Sequence, residues 1–404
     1  KKTNLQNNQV LKKNLNKKTR NEQELNPTLE VNISNGEFTK NFDNNKNDLG
    51  ELEYQGLLEK LGKYNYAKFN DFKNIEVKPI FYNENLIFFN NKGTIIVYDQ
   101  IQKIVWQKNF YSKSEKKNKP RLNLAIKKDV LIVVDDIAKY YAVNLLTGEI
   151  IWEKKNTVPF NSDIKIKGNI FYTVDYENIL RAISIKDGSE LWKIKTEQSS
   201  TKSNTKLSVA INDENIYFNN SIGDITAVNI ESGQLLWQLP TQNNNISKNA
   251  FQLSSSKLVI NDNSILFSNN KNEFYSIDAK TGLINWKQEI NSILRPIVIN
   301  KFIITVSEKG YLYLINRKSG EIFRINDLYK DYDYKKRNKI SPTGFIVANN
   351  KVYLTNDNGK LIVVELSTGN ILSLVKIAGD KIVQPYVFNN NLFLVKNGSI
   401  IRFN

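Results

Sequence analysis

The chain contains no cysteine, no histidine and no methionine. Without cysteine it can form no disulfide, thiolate zinc site or cysteine nucleophile. Without histidine it lacks the usual general base and the commonest metal ligand. No run approaches the ~20 apolar residues that span a membrane as a helix. The missing initiator methionine suggests a trimmed chain, so the lack of a signal peptide carries little weight. We predict no catalytic, metal-binding or cofactor-binding residue.

What the sequence does contain is a phrase that recurs every forty-odd residues. In the clearest copies a small residue, then Asn, Ser or Asp, leads to a polar residue and Gly, and Trp follows that Gly by four positions. These copies end at Trp152, Trp192, Trp237 and Trp286, with turn glycines Gly148, Gly188, Gly233 and Gly282. Two weaker copies keep Gly320 and Gly369 without the Trp, and a copy ending at Trp106 has a shorter turn. Self-similarity at this period indicates a repeat architecture.

Each phrase has the local chemistry of a β-hairpin. Alternating apolar residues mark a half-buried strand, and a polar residue with Gly supplies the turn. A further β-rich run precedes each phrase, and most of these have another upstream. The eight preceding runs are Asn85–Phe89, Val130–Val134, Asn169–Val174, Asn215–Phe218, Ser264–Phe267, Phe302–Val306, Lys351–Leu354 and Asn391–Leu394. Four short strands, eight times over, predict an all-β fold, an eight-bladed β-propeller of four-stranded blades.

The eighth repeat ends at the C-terminus without its outer strand. Since an unpaired sheet edge invites aggregation, we predict that a segment between Leu29 and Phe72 closes the ring. Residues 1–50 are poor in apolar side chains, which predicts a flexible basic and polar tether. Residues 51–404 are then one propeller that includes the closing segment. Within it, Gly50 to Lys63 is the one stretch whose pattern favours a short helix.

The formal charge is +16, from 57 basic and 41 acidic residues. One interpretation is attraction to nucleic acid or an anionic surface. We favour the other, a Lys/Asn-rich composition with solvated loops, because Lys outnumbers Arg and the basic residues are spread along the chain. We therefore predict no nucleic-acid partner. A loop at 326–339 carries Tyr329, Tyr332 and Tyr334, which either anchor a partner or pack on their own blade.

The five tryptophans occupy the same register in their repeats. A residue at one place in every blade packs against its neighbour or locks the turn, so we interpret Trp106, Trp152, Trp192, Trp237 and Trp286 as structural, together with the turn glycines. On this basis Trp192→Ala is expected to cost roughly 3–5 kcal/mol.

The phrase A-x-[ND]-x-x-[TS]-G-x-x-x-W resembles the repeat of quinoprotein-type (PQQ-like) eight-bladed propellers. Within that group, the single ring and the N-terminal tail are most similar to the BamB family of outer-membrane assembly lipoproteins, over roughly residues 75 to 404. The resemblance implies a non-enzymatic periplasmic scaffold without cofactor. It also implies docking to BamA-like POTRA domains, contact with unfolded outer-membrane proteins, and a lipid anchor in the outer membrane of a Gram-negative bacterium.

By position, the interblade loops that the family uses for docking match residues 196–206 and 241–256. The predicted contact residues are Ser199, Ser200, Thr201, Lys202, Leu253, Ser254, Ser255 and Ser256. One alternative is another cell-envelope adaptor, for example one that binds a polysaccharide. A remote alternative is a PQQ-dependent dehydrogenase, which would need a carboxylate base beside a calcium-bound quinone. Asp135, Asp136, Asp175 and Glu177 are the carboxylates at blade ends, and we interpret them as turn and edge chemistry. No small-molecule substrate is predicted.

Overall fold

A computed structural model describes residues 44–54, 56–197, 206–241 and 253–404 of the chain. They form eight sheets of four antiparallel strands arranged as a ring, which confirms the predicted eight-bladed β-propeller. From the first blade to the fifth, the innermost strands of neighbouring blades are in contact. Each of the eight β-rich runs read from the sequence falls on the second strand of a blade.

The strands have the following bounds, given blade by blade after the closing strand. They are β1 (Lys60–Asn65); β2–β5 (Ile80–Tyr82, Asn85–Phe89, Ile95–Tyr98, Ile104–Lys108); β6–β9 (Leu122–Lys127, Val130–Asp135, Lys139–Asn144, Ile150–Lys155); β10–β13 (Lys165–Lys167, Ile170–Val174, Ile179–Ser184, Glu190–Lys195); β14–β17 (Val209–Ile211, Asn215–Asn219, Ile225–Asn229, Leu235–Leu239); β18–β21 (Val259–Asn261, Ser264–Asn269, Glu273–Asp278, Ile284–Gln288); β22–β25 (Ile297–Ile299, Phe302–Val306, Tyr311–Asn316, Ile322–Asp327); β26–β29 (Pro342–Ala348, Lys351–Asn356, Lys360–Glu365, Ile371–Lys376); and β30–β32 (Tyr386–Phe388, Asn391–Lys396, Ser399–Phe403).

Helical structure is short in the described part of the chain. It consists of a 3-10 turn at Phe72–Asn74, helix α1 at Lys113–Lys117 and helix α2 at Tyr334–Arg337. Helix α1 begins at Ser112, which forms a reciprocal capping box with Glu115. Across the described residues, no helix has the length and apolar character needed to cross a membrane.

In several phrases the Asn or Asp side chain holds the turn. In the second blade, Asn144 Oδ1 accepts the backbone N–H groups of Leu146 at 2.9 Å and Thr147 at 3.1 Å. Gly148 then adopts φ +68°, and its N–H donates to the carbonyl of Asn144 at 2.7 Å. Glycine suits this position because a Cβ disfavours the left-handed region. The Asn-to-Gly spacing of the phrase is therefore a requirement of this turn.

A β-bulge explains why Trp follows Gly by four positions. In the pairing of β8 with β9, Trp152 lies opposite Ala142 and Ile150 lies opposite Val143, which leaves Ile151 as an extra residue. The same shift recurs in the other Trp-bearing blades. A small residue lies opposite the indole in the four clearest copies. The bulge determines the direction in which the bulky indole side chain points.

Each indole packs on the turn glycine of the following blade. The Nε1 atoms of Trp106, Trp152, Trp237 and Trp286 donate to backbone carbonyls of that next blade, at 2.8 to 3.1 Å. A Cβ added to the glycine would lie within about 3 Å of the ring, for example 2.7 Å from Trp192 at Gly233. In the sixth blade Arg324 takes the Trp position, and its guanidinium donates to the carbonyls of Leu366 and Ser367. The blades are thus joined at their outer strands as well as at the axis.

The ring closes as predicted, through an N-terminal strand. Strand β1 pairs antiparallel with β32 and completes the eighth blade, with Lys60 opposite Phe403 and Asn65 opposite Ser399.

The predicted helix between Gly50 and Lys63 is wrong. Leu52 forms a parallel bridge with Ala348, and strand β1 begins at Lys60. Leu58 has φ +62°, which is incompatible with a continuing helix. Pairing with two blades therefore overrides the local helical pattern of this segment.

Candidate interaction surface

The inner strands of all blades begin at one end of the central channel, and a cavity of about 650 Å³ opens there. The described residues that connect each outer strand to the next inner strand lie at this end. In sequence, the predicted docking loops 196–206 and 241–256 are two of these connections, and their described residues Lys206, Ser254, Ser255 and Ser256 line the cavity. The cavity and the described part of these connections thus share one face of the ring.

An N-terminal segment, residues 44–52, crosses the channel beyond the cavity; we call it the strap. Asn47 is 1% exposed, and its Nδ2 donates to the carbonyls of Val209 at 2.9 Å and Leu258 at 2.8 Å. Its Oδ1 accepts from the buried ammonium of Lys165 at 2.6 Å. At its end, the Leu52 N–H donates to Val347 O at 2.8 Å. The strap therefore ties the third, fourth and fifth blades to the seventh.

Residues 44–50 lie in the part of the chain predicted as a tether, and the contacts above fix them to the ring. Residues 1–43 lie outside the described residues. The division into a tether and a propeller at residue 50 stays a prediction.

A buried ion cluster around Asp163 lies beside the cavity, which three members of the cluster line: Glu76, Lys206 and Lys257. The Lys78 ammonium is 2.7 Å and the Lys206 ammonium 2.8 Å from its carboxylate, and Lys257 is in contact with it too. Burial alone would raise the pKa of Asp163, but the lysines lower it well below its ordinary value. Three cations thus share one carboxylate, with Glu76 as a second acid 3.4 Å from Lys257.

Neither the strap nor this cluster was predicted from the sequence. The signal for the cluster was faint: Asp163 lies two residues before a short inner strand, and Lys165 is a buried charged residue at the start of that strand. Their partners Lys78, Lys206 and Lys257 come from distant repeats. Only ring closure brings these residues together.

Half of the predicted docking residues can be located. Ser199, Ser200, Thr201 and Lys202 lie outside the described residues. Of the others, Leu253 is 5% and Ser256 2% exposed, and the Ser256 hydroxyl accepts the Ser268 N–H at 3.0 Å. Ser254 and Ser255 keep partial exposure, and both line the cavity together with Ser256. Of the predicted docking residues that the structure describes, Ser254 and Ser255 are therefore the accessible ones.

The Tyr-rich loop at 326–339 packs mainly on its own blades. Tyr329 is fully buried, and its hydroxyl donates to Asn356. Tyr332 meets Tyr329 edge to face at 5.9 Å, and its hydroxyl accepts from Lys360 at 3.2 Å. Tyr334 is 74% exposed. The second interpretation of this loop therefore holds for Tyr329 and Tyr332.

The carboxylates at the blade ends take part in turns and ion pairs. Asp175 forms a 2.8 Å ion pair with Arg181, and its other oxygen accepts the Ile179 N–H at 3.1 Å. Asp135 accepts the Tyr111 hydroxyl at 2.7 Å, and burial raises the pKa of Asp135 to about 6. Among the described residues, no group of three or more acidic side chains is placed to hold a metal ion.

Comparison with known proteins connects this architecture to one family. A sequence model described as "Outer membrane protein assembly factor BamB" matches residues 91–326. The outer membrane protein assembly factor BamB of Legionella pneumophila (strain Paris) is 27% identical over 125 residues, which cover 26% of this chain and 31% of that protein. The chain thus matches about a third of the length of that relative.

Solved structures agree on the fold. BamB from Moraxella catarrhalis superimposes with a TM-score of 0.70 at 16% identity, over 86% of this chain and 100% of that one. A quinohemoprotein alcohol dehydrogenase from Pseudomonas putida HK5 gives 0.62 at 12% identity, over 89% and 78%. At such identities the likeness shows the propeller fold alone. The family match covers more than half of the sequence, and on that ground the chain belongs to the BamB family of outer membrane protein assembly factors.

Proposed function

We propose that this chain is a non-enzymatic scaffold of the outer-membrane β-barrel assembly machinery. It docks onto the periplasmic POTRA domains of a BamA-like protein and assists the insertion of unfolded outer-membrane proteins. A lipid anchor holds it at the periplasmic face of the outer membrane. The family match over residues 91–326 carries this proposal, because it spans the blades that present both candidate docking loops.

The geometry of the described loop residues supports docking at the cavity face. The Ser254 N–H donates to Asn270 Oδ1 at 3.0 Å, and the Asn270 N–H returns to Ser254 O at 2.9 Å. Asn219 donates to the Ser255 hydroxyl at 3.1 Å. Residues held by such hydrogen bonds lose little conformational entropy on binding, so the described end of this loop suits a docking role.

The outer strands supply a second surface, suited to unfolded clients. They lie at the rim of each blade and expose apolar side chains that include Ile150, Ile151, Leu235, Leu236 and Leu374. An extended segment can add to such an edge through backbone hydrogen bonds while apolar side chains contact its alternate residues. This arrangement favours transient capture of nascent strands by β-augmentation.

Calorimetry of the purified chain with the POTRA domains of its own organism's BamA tests the docking step, at two salt concentrations. The key variant is Ser255→Arg, which places a bulky cation at the cavity mouth. Its matched control is Ser232→Arg, in an exposed turn at the opposite end of the ring. Ser255→Arg removes the hydroxyl that accepts a hydrogen bond from the Asn219 amide. Ser232→Arg likewise removes the hydroxyl that accepts a hydrogen bond from the Gln234 N–H.

We expect saturable one-to-one binding that survives the higher salt, at least about tenfold weaker in Ser255→Arg and unchanged in Ser232→Arg. Absence of binding by the wild-type chain, or binding that the higher salt abolishes, would refute the proposed docking. Equal weakening by both variants would refute its location at the cavity face.

A further inference from the structure

The channel cavity is a cup rather than an open tunnel. Leu49 of the strap lines it, and Asn47 seals the strap against the inner strands of the fourth and fifth blades. The Ile211 and Ile260 N–H groups donate to strap carbonyls at 2.7 and 2.9 Å. A ligand that enters from the loop face therefore meets a closed floor.

The lining of this cup is rich in positive charge. Basic side chains outnumber acidic ones by six to three: Lys73, Arg121, Lys206, Lys257, Arg295 and Lys381 against Glu76, Asp136 and Asp357. Because the walls are protein and the floor is closed, the field of these charges is concentrated inside the cup.

Three of these basic side chains, Lys257, Lys381 and Arg295, are the ones whose charges we expect to act on a bound ligand. Lys381 donates to the neutral carbonyls of Lys73 at 2.9 Å and Ile75 at 3.1 Å. Lys257 shares the Asp163 carboxylate with two other lysines, and Arg295 is 8% exposed.

Burial weakens the charged state of two of these groups. It lowers the pKa of Lys257 to about 8 despite the attraction of Asp163, and it also lowers the pKa of Lys381. A lowered lysine pKa means that nearby acids do not fully compensate the buried charge. The cup thus carries a positive surplus that an anion would neutralise.

We propose that this cup binds a small multivalent oxyanion, a molecule with two or more carboxylate or phosphate groups, between Lys257, Lys381 and Arg295. The volume of about 650 Å³ is in the ordinary range for a small-molecule site. Ser254 and Ser255 line the same cavity. The Ser255 hydroxyl accepts from Asn219, and its own proton can be donated to an anionic oxygen. The proposal does not depend on docking to POTRA domains.

Calorimetric titration of the full chain with citrate and, separately, with pyrophosphate tests the proposal at constant ionic strength. The test variant is Lys257→Gln with Lys381→Gln. It should fold, because Asp163 keeps Lys78 and Lys206, and a glutamine amide at 381 can still donate to a carbonyl. The control, Lys280→Gln with Lys318→Gln, removes the same charge from exposed turns remote from the cup.

We expect saturable one-to-one binding of at least one of the two anions, weakened at least about tenfold in the test variant and unchanged in the control. Tighter binding of citrate would indicate carboxylate groups on the natural ligand, and tighter binding of pyrophosphate would indicate phosphate groups. Heats that do not saturate for either anion, or that are equal in the wild type and the test variant, overturn the proposal. If the double variant does not fold, Lys381→Gln alone is measured against the same criteria.

Discussion

Replacing one turn glycine tests the packing of indole on glycine between blades. Gly233 has φ +70°, and an added Cβ would lie 2.7 Å from Cε3 and 2.8 Å from Cδ2 of Trp192. Gly233→Ala therefore incurs the left-handed backbone cost of about 1–2 kcal/mol and an overpacking cost of about 1–3 kcal/mol. Gly168 provides the matched control, because it has φ +61° and nothing within 4 Å of its added Cβ. Gly168→Ala should incur the backbone cost alone.

A double-mutant cycle isolates the contact itself. Trp192→Ala alone is expected to cost about 3 kcal/mol, the lower end of the range for Trp→Ala, because the ring is only partly buried. In the Trp192→Ala background, the indole atoms nearest to the added Cβ of Gly233→Ala are absent, so the overpacking cost should disappear. The double variant should therefore lose about 1–3 kcal/mol less than the sum of the single variants.

The assay is urea unfolding followed by far-UV circular dichroism, with tyrosine fluorescence as a second probe of two-state behaviour. Two results would refute the reasoning. One is a cost of Gly168→Ala equal to that of Gly233→Ala. The other is additivity of the two substitutions within about 0.5 kcal/mol. Either would mean that the indole does not pack on the turn in solution.

Three further changes probe other contacts by the same unfolding assay. Since burial raises the pKa of Asp135 from 3.8 to about 6, its stabilising contribution is complete below pH 3.8 and is lost as pH rises through 6. On lowering the pH from 8 to 4.5, the wild type should gain about 2 kcal/mol of stability relative to Asp135→Asn. A difference between the two proteins that does not change with pH would contradict this. Asn47→Ala should lower the free energy of unfolding by about 3 kcal/mol or more, because its buried partners lose their hydrogen bonds. A decrease below about 1 kcal/mol would show that Asn47 does not hold the strap on the ring. Arg324→Trp should destabilise the sixth blade by about 1–3 kcal/mol, because Leu314 stands where the four clearest copies of the repeat have a small residue opposite the indole. Adding Leu314→Ala should recover part of that stability, and no recovery would contradict the explanation by steric size.

The ring was predictable because its information is local. The turn that begins at Asn144 and ends at Gly148 fits within a few residues, and the second to seventh blades repeat its glycine. The incomplete eighth repeat also pointed to closure from the N-terminus, and β1 provides it. Even the Gly-to-Trp spacing, which sequence alone leaves unexplained, follows from one bulge per blade.

The features at the axis were not predictable, because they depend on residues remote in sequence. Asp163 gathers lysines from three other repeats, and Asn47 bonds to residues more than 150 positions away. The helix predicted between Gly50 and Lys63 was wrong for the same reason, because this segment pairs with Ala348 and with the C-terminal strand β32. A local pattern carries no information about such partners.

The two proposals meet at one wall of the channel. Ser254 and Ser255 are the predicted docking residues that the structure describes as partly exposed, and they also line the basic cup. An oxyanion in the cup would neutralise charge beside these two serines, so the two proposed binding events would share an electrostatic field. Coupling between two binding events is reciprocal: whatever factor the anion imposes on docking, the docked partner must impose on the affinity for the anion. The outer ring of tryptophans lies apart from this wall, which separates the contacts that hold the blades together from those that meet other molecules.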